Sequence, residues 1–124
     1  MFISKESSAV NLIGAWKDRE IRIGEEWIGG HVIVSPNAII RDWTVDSPAA
    51  LAVTDLDDAL ALEPEIVIIG TGAALVLPMS DIVGTLGRQG IGVEVMNTPA
   101  ACRTYNVLAH ELRRVVAALF EPAA

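Results

Sequence analysis

The stretch "IVIIGTGAALVLP", residues 66–78, decides the fold class. It begins with a continuous run of β-branched residues, Ile66 to Ile69, which is typical of a strand buried on both faces of a parallel sheet. Gly70 and Gly72 then predict a tight turn. Pro78 closes an apolar loop before the next element. The stretch therefore predicts a buried strand, a glycine turn and an apolar loop.

The residues that follow alternate between helix and strand. A helix is predicted over 80–88, with Asp81 near its start and Gly90 just past its end, and a second strand over 91–96. Two strands joined by a helix in this order should lie parallel, with a right-handed crossover. Their carboxyl ends should bring the segments "GTGAALVLP" and "NTPAACRTYN" together at one edge of the sheet, where α/β proteins place ligand crevices.

A long final helix is predicted to begin at Thr98 and Pro99, which supply an N-cap and a first helical residue of fixed φ. Its apolar positions recur at the spacing of one buried helical face. These positions are Tyr105, Leu108, Leu112, Val115, Val116 and Leu119.

The amino-terminal half carries short β-rich runs at 21–23, 27–34 and 38–45, with "SPN" at 35–37 as a turn. They predict a small antiparallel unit, in which Gly29 and Gly30 mark a bulge or a bend. Thr54 is expected to cap a short helix, "DLDDALAL", that Pro64 ends. The whole pattern predicts an α/β fold with an additional β-rich amino-terminal portion.

Composition limits the classes of function. The 124 residues fit a single domain over 1–124, with 1–19 as a candidate loosely ordered extension. A net charge of −7 opposes binding to nucleic acid, because phosphate contacts require clustered Lys and Arg. No apolar run reaches the roughly 18 residues of a membrane helix, so membrane insertion is not expected.

The residue types also exclude several sites. Lys5 and Glu6 stand where a signal peptide needs an apolar core, which predicts a cytoplasmic protein. The single cysteine, Cys102, excludes an internal disulfide and a multi-cysteine zinc site. His31 and His110 have no ligand partners at metal-binding spacing, so we expect no metal. We also expect no cofactor.

The glycine turn has a structural and a functional interpretation. A dinucleotide-binding loop would need Gly or Ala at position 75 and a helix directly after it, whereas Leu75 and Pro78 stand there. No P-loop motif is present. Gly70-Thr71-Gly72 is therefore either a simple tight turn or a backbone surface open to a ligand or a partner.

The segment "NTPAACRTYN" could bind an anion, because the first turn of a helix presents free N–H groups, here at 100–102, and Arg103 adds a positive charge. Cys102 is either a small buried hydrophobic residue or a thiol whose pKa is lowered by the helix start and the arginine. Glu94, in the middle of an apolar strand, is an edge residue, a partner of Arg103, or an acid–base group.

These residues carry a family resemblance. "IVIIGTG", the later Pro78, "QGIGVEVMNTPAACRTYNVLAHELRRVVAAL" and the upstream "WTV" resemble the Mth938-type domain, a family of unknown function that includes mitochondrial complex I assembly factors and an adipogenesis-associated protein of animals. The resemblance covers residues 20–120. The positions that match the family's motif are Gly70, Thr71, Gly72, Glu94, Thr98, Arg103, Thr104, Tyr105 and Asn106.

The resemblance implies a three-layer α/β fold, with a mixed β-sheet and helices on both faces. It brings no established catalytic activity. The mitochondrial relatives act through protein contacts, and this chain does not show their transit peptide, which suits a bacterial cytoplasmic relative.

Two hypotheses of function follow. The first is a non-enzymatic protein-interaction or assembly-factor-like module, a candidate homo-oligomer, whose contact surface includes the loop "AALVLP". The second is a small-molecule site or an enzyme that binds an anionic ligand between Gly70–Gly72 and Thr98–Asn106.

Overall fold

The computed structural model describes residues 10–124, which form two β-sheets, three α-helices and a short 3₁₀ turn. The strands are β1 (Ile13–Trp16), β2 (Glu20–Ile23), β3 (Glu26–Gly29), β4 (Val32–Ser35), β5 (Ala38–Ile40), β6 (Ile66–Gly70), β7 (Gly92–Met96) and β8 (Val115–Leu119). The helices are α1 (Asp57–Leu60), α2 (Ile82–Gly87) and α3 (Thr98–His110), and the 3₁₀ turn is Val53–Leu56.

The main sheet has five strands in the order β5-β4-β8-β6-β7. β6 lies parallel to β7 and to β8, and β4 lies antiparallel to β8 and β5. Ile68 is in register with Glu94 on one side and Ala117 on the other. The predicted parallel pairing of β6 and β7 is confirmed, and the sheet is mixed, as the family resemblance implied.

Side chains of the central strands alternate between two hydrophobic cores. Ile68 and Ala117 point to one face, where they meet Tyr105 of α3 and the apolar residues of the three-stranded sheet β1-β2-β3. Ile69 and Ala118 point to the other face, which is covered by α1, α2 and the buried Trp43. Since elements cover both faces, the molecule has three layers.

The β-rich amino-terminal half divides between the two sheets. The expected run 27–34 breaks at Gly30, whose φ of +80° turns the chain, so that β3 and β4 belong to different sheets. The predicted bend is confirmed. The predicted separate antiparallel unit is corrected, because β4 and β5 complete the main sheet while β1, β2 and β3 form the second one.

The prediction of one long final helix was wrong beyond His110. α3 ends there, Leu112 adopts a left-handed φ of +64°, and Val115–Leu119 forms the strand β8. A short apolar run fits a helix face and a buried strand equally well, and here burial between β4 and β6 decides for the strand. The helix cap is also shifted by one residue: Asn97 is the N-cap, and Thr98 is the first helical residue.

The shorter helices agree more closely with the sequence. α2 is capped by Asp81, whose carboxylate accepts a hydrogen bond from the Gly84 N–H at 2.9 Å. The helix expected after Thr54 is split into the 3₁₀ turn and α1. The predicted Thr54 cap was wrong, because Thr54 lies inside the 3₁₀ turn, whose N-cap is Ala52. Within residues 10–124 no helix combines the length and the apolar character needed to cross a membrane. Of the predicted extension 1–19, residues 1–9 lie outside the described part, and 13–16 form β1.

Candidate functional site

The carboxyl ends of three parallel strands lie side by side at one end of the main sheet. Gly70, the last residue of β6, is in register with Met96 of β7 and Leu119 of β8. The chain leaves this end as the glycine turn, as the start of α3, and as the carboxyl-terminal residues 120–124. The predicted meeting of the first two segments is confirmed, and the third was missed because β8 was assigned to a helix.

Thr98 joins the three segments. Its hydroxyl accepts a hydrogen bond from the Gly72 N–H at 2.8 Å and donates to the Phe120 carbonyl at 2.8 Å. Its own backbone N–H donates to the Gly72 carbonyl at 2.8 Å. The side chain is fully buried, so both partners would lose a hydrogen bond in an apolar interior if the hydroxyl were removed.

The two glycines are required by close packing. A Cβ on Gly70 would lie 2.9 Å from the Thr98 hydroxyl oxygen. Gly72 has φ +96°, and a Cβ there would collide with the Ala124 carbonyl. That same carbonyl accepts a hydrogen bond from the Ala73 N–H at 3.1 Å. The space beside the turn is thus filled by the chain itself.

Thr71 holds the loop that follows. Its hydroxyl donates to the Ala74 carbonyl at 2.6 Å and accepts from the Val76 N–H at 3.1 Å. Its backbone N–H donates to the Met96 carbonyl at 2.9 Å, which anchors the loop to the end of β7. Thr71 is buried, so these bonds are shielded from water.

The backbone donors at the start of α3 have partners within the protein. The Ala100 N–H donates to the Asn97 side-chain oxygen at 2.8 Å, and the Ala101 N–H donates to the Asn97 carbonyl at 2.9 Å. The guanidinium of Arg103 lies 5.7 Å from the centre of the Trp16 ring. These groups, which the sequence offered as anion donors, serve the helix cap and a cation–π contact.

Cys102 and Tyr105 face the core between α3 and the three-stranded sheet. Both are fully buried. Burial raises the pKa of the Cys102 thiol to about 12, which outweighs the opposing influence of Arg103. Burial also raises the pKa of the Tyr105 hydroxyl, which donates to the Asn11 carbonyl at 2.7 Å. This environment matches the small buried hydrophobic interpretation of Cys102 rather than a reactive thiolate.

Asn106 connects α3 to β1. Its side-chain oxygen accepts from the Ile13 N–H at 2.8 Å, and its amide donates to the Ile13 carbonyl at 2.8 Å. The amide side chain thereby pairs with the strand edge in the way a neighbouring strand would. Thr104, two residues earlier, is half-buried.

The candidate residues therefore form three groups. Gly70, Thr71, Gly72 and Thr98 build the junction at the strand ends. Cys102, Tyr105 and Asn106 lie on the inner side of α3. Glu94 is exposed on β7, an edge strand, and forms no ion pair within residues 10–124, so it stands apart from Arg103.

An exposed apolar surface lies beside the junction. We call it the loop patch, and it consists of Leu75, Leu77, Met79 and Val83. Leu77 is 68% exposed and Met79 is 89% exposed. A cavity of about 310 Å³ is lined by the end of the loop, the start of α2 and Val95 of β7. The sequence pointed to Ala73–Pro78 and missed Met79 and Val83, although apolar residues that flank a capping Asp81 were a usable signal.

The histidines are not part of this site. The Nδ1 of His31 accepts a hydrogen bond from the Glu121 N–H at 3.0 Å, and its ring packs against Phe120. Over the described range 10–124, no group of three or more His, Cys, Asp or Glu side chains is arranged to hold a metal ion.

Solved structures define the class of protein. A crystal structure of a protein from Bordetella parapertussis has a TM-score of 0.84 and 35% identity, and the match covers 94% of this chain and 99% of that one. A solution structure from Bordetella pertussis, described as a Mth938-like domain, has a TM-score of 0.79 and 28% identity, over 99% of this chain and 93% of that one. The fold is that of a Mth938-like domain.

Residues 13–120 match the family described as "Protein of unknown function (DUF498/DUF598)". The chain belongs to this family, and the resemblance found in the sequence is confirmed. A zebrafish (Danio rerio) relative, named NADH dehydrogenase [ubiquinone] 1 alpha subcomplex assembly factor 3, is 36% identical over 98% of this chain and 71% of its own length.

Proposed function

We propose that this protein is a non-enzymatic protein-interaction module of the bacterial cytoplasm with an assembly-factor-like role, and that the loop patch is its contact surface. The observation that carries the proposal is the exposure of four large apolar side chains within nine residues, Leu75 to Val83. Large apolar side chains exposed close together on a domain surface are characteristic of an interaction site.

The loop is held in place from both ends. Thr71 fixes its start through the hydrogen bonds to Ala74 and Val76. The Met79 N–H donates to the Ala49 carbonyl at 2.9 Å and fixes its end. A fixed apolar surface loses little conformational entropy on binding, which favours affinity for a partner.

The junction supports this function better than an anionic-ligand site. Of the expected anion donors at the start of α3, the Ala100 and Ala101 N–H groups already bond to Asn97. The Gly72 N–H beside them is bonded to Thr98. The raised pKa of Cys102 also keeps the thiol protonated, so the residue is a poor nucleophile.

The name of the zebrafish relative supports the assembly-factor-like part of the proposal. That name describes an assembly factor for an NADH dehydrogenase complex. For this chain we propose only the shared principle, which is that the domain acts by contact with another protein.

Site-specific photo-crosslinking in the source cell tests the proposal. A benzophenone amino acid at position 77 should give one discrete crosslinked protein, and the double variant Leu77→Ser/Met79→Ser should no longer co-purify with it. Position 112 is the matched control, because Leu112 is 86% exposed and lies just before the start of β8, at the opposite end of the strands from the junction.

Adducts at 112 equal to those at 77, or none at either position, would contradict the proposed surface. An adduct of twice the chain mass would identify a second copy as the partner. A thermal-shift screen of organic acids, phosphate and nucleotides tests the competing hypothesis, since stabilisation that is lost in Arg103→Ala would favour an anionic ligand.

A further inference from the structure

The outer edge of β7 is an unpaired strand edge. β7 pairs with β6, and no other strand within residues 10–124 lies beside it. Its first residue, Gly92, donates its N–H to the Glu65 carbonyl, and its last, Met96, accepts from the Thr71 N–H. In a parallel ladder alternate residues bond to the same neighbour, so Val93 and Val95 direct their N–H and C=O groups outward.

The two edges of the main sheet differ. The opposite edge, β5, has three residues and runs directly into Arg41, which forms an ion pair with Glu26 at 2.7 Å. A strand of only three residues offers few backbone groups to an added strand. β7 has five residues in continuous register with β6, and it contains no proline and no bulge. It is the open edge of this sheet.

The side chains of β7 offer different chemistry on its two faces. Val95 faces the cavity of about 310 Å³ beside Leu77, Met79 and Val83. Glu94 points to the opposite face and is exposed. An added strand would place alternate residues into this cavity and alternate residues beside Glu94.

Charge selects the occupant. A second copy added antiparallel and centred on Glu94 would place two glutamates directly opposite each other, which destabilises the pairing. The chain has a net charge of −7, so a basic partner is favoured over another copy at any register.

We infer that β7 accepts an extended segment of a partner protein by strand addition, with a Lys or Arg of the segment opposite Glu94 and an apolar side chain in the cavity beside Val95. This inference rests on the proposed function and specifies the partner's chemistry. The outward groups of Val93 and Val95 supply the backbone hydrogen bonds, and the loop patch supplies the apolar contact.

Selection from a displayed library of random eight-residue segments on the whole protein tests the inference. The enriched segments should alternate apolar residues with Lys or Arg. A synthetic peptide with the sequence of an enriched segment, the selected peptide, should slow hydrogen exchange of the Val93 and Val95 amides by about tenfold or more. The exchange rates of the Gly92, Glu94 and Met96 amides should change little.

Two variants make the result decisive. Val95→Pro removes an outward N–H, so it should weaken binding of the selected peptide about tenfold or more. The fold should persist, because proline is tolerated at the outer side of an edge strand. Glu94→Lys changes an exposed residue, keeps the fold, and should switch the enriched segments from basic to acidic.

The inference is overturned if nothing is enriched, if binding survives Val95→Pro, or if Glu94→Lys leaves the preference unchanged. Concentration-dependent dimerisation through β7 would also overturn it in favour of a second copy. If position 77 gives a crosslink but the selection fails, only strand addition at β7 is rejected, and the proposed interaction function still stands.

Discussion

A single buried hydroxyl, that of Thr98, connects three separate segments of this chain. It satisfies the Gly72 N–H and the Phe120 carbonyl at the same time. A threonine in the first turn of a helix is commonplace, so the sequence could mark it as a capping residue but could not assign these two partners. Both come from remote parts of the chain that the strand order brings together.

Thr98→Val should therefore destabilise the protein strongly. The change keeps the shape of the side chain but leaves a donor and an acceptor buried without a partner, which should cost about 2–4 kcal/mol. Urea denaturation measures this loss. Thr104→Val is the control, because Thr104 lies in the same helix and is half-buried, and it should change stability by less than about 0.5 kcal/mol. Equal effects would contradict the assigned role.

Cys102 should be inert in the folded protein. Its burial predicts that iodoacetamide labels the native thiol at least about 100-fold more slowly than the thiol in urea, since reaction requires local opening. Mass spectrometry of the time course measures both rates. Similar rates in the two states would restore the reactive interpretation.

The same burial predicts a pH dependence of stability. The folded pKa of about 12 lies above the ordinary value of 9.0, so the folded state retains a proton that the unfolded state releases. The thiol's contribution to stability is complete below pH 9 and is lost as the pH rises through about 12. The stability of wild type should therefore fall toward that of Cys102→Ala as the pH increases from 9.

At the scale of elements, α3 and β8 show where sequence periodicity is insufficient. Val115, Val116 and Leu119 continue the helical spacing of α3, and they also form a short apolar run suited to a buried strand. The left-handed Leu112 ends the helical path without a glycine or a proline to signal it. The usable signal was the uninterrupted apolar run after Arg114, which matches the pattern of β6.

The attachment of β1 to α3 also belongs to this scale. Asn106→Ala should cost about 1–3 kcal/mol, because it removes both hydrogen bonds to the Ile13 backbone. Hydrogen exchange at the Ile13 amide should accelerate. Val107→Ala, on the exposed side of the same helix, should leave that amide unchanged. Unaltered exchange in Asn106→Ala would show that other contacts hold β1.

At the scale of the whole molecule, the central strands couple the two cores. Ile68 contacts the core beneath α3, and its neighbour Ile69 contacts the core around Trp43. A change on either face therefore acts on the same strand. For this reason we expect the described residues to unfold as a single unit, in keeping with the predicted single domain.

Ile68→Val and Ile69→Val test this coupling. Each deletes one buried methylene and should lower the stability by about 0.5–1.5 kcal/mol. In each variant, the midpoint of urea unfolding should shift to the same new value whether it is followed by tryptophan fluorescence or by far-ultraviolet circular dichroism. Two separate transitions, with each variant moving only one of them, would show that the cores unfold independently.

The sequence by itself determined the strands β6 and β7, their parallel pairing, the glycine turn between strand and loop, and the family. These features depend on local patterns: apolar runs, capping residues and glycines. Tertiary structure alone decided that Val115–Leu119 is a strand, that Gly30 divides β3 and β4 between two sheets, and that the junction donors are occupied. Each of these depends on which remote segment lies alongside, because a short apolar run or an N–H group acquires its role only from the partner that buries or binds it.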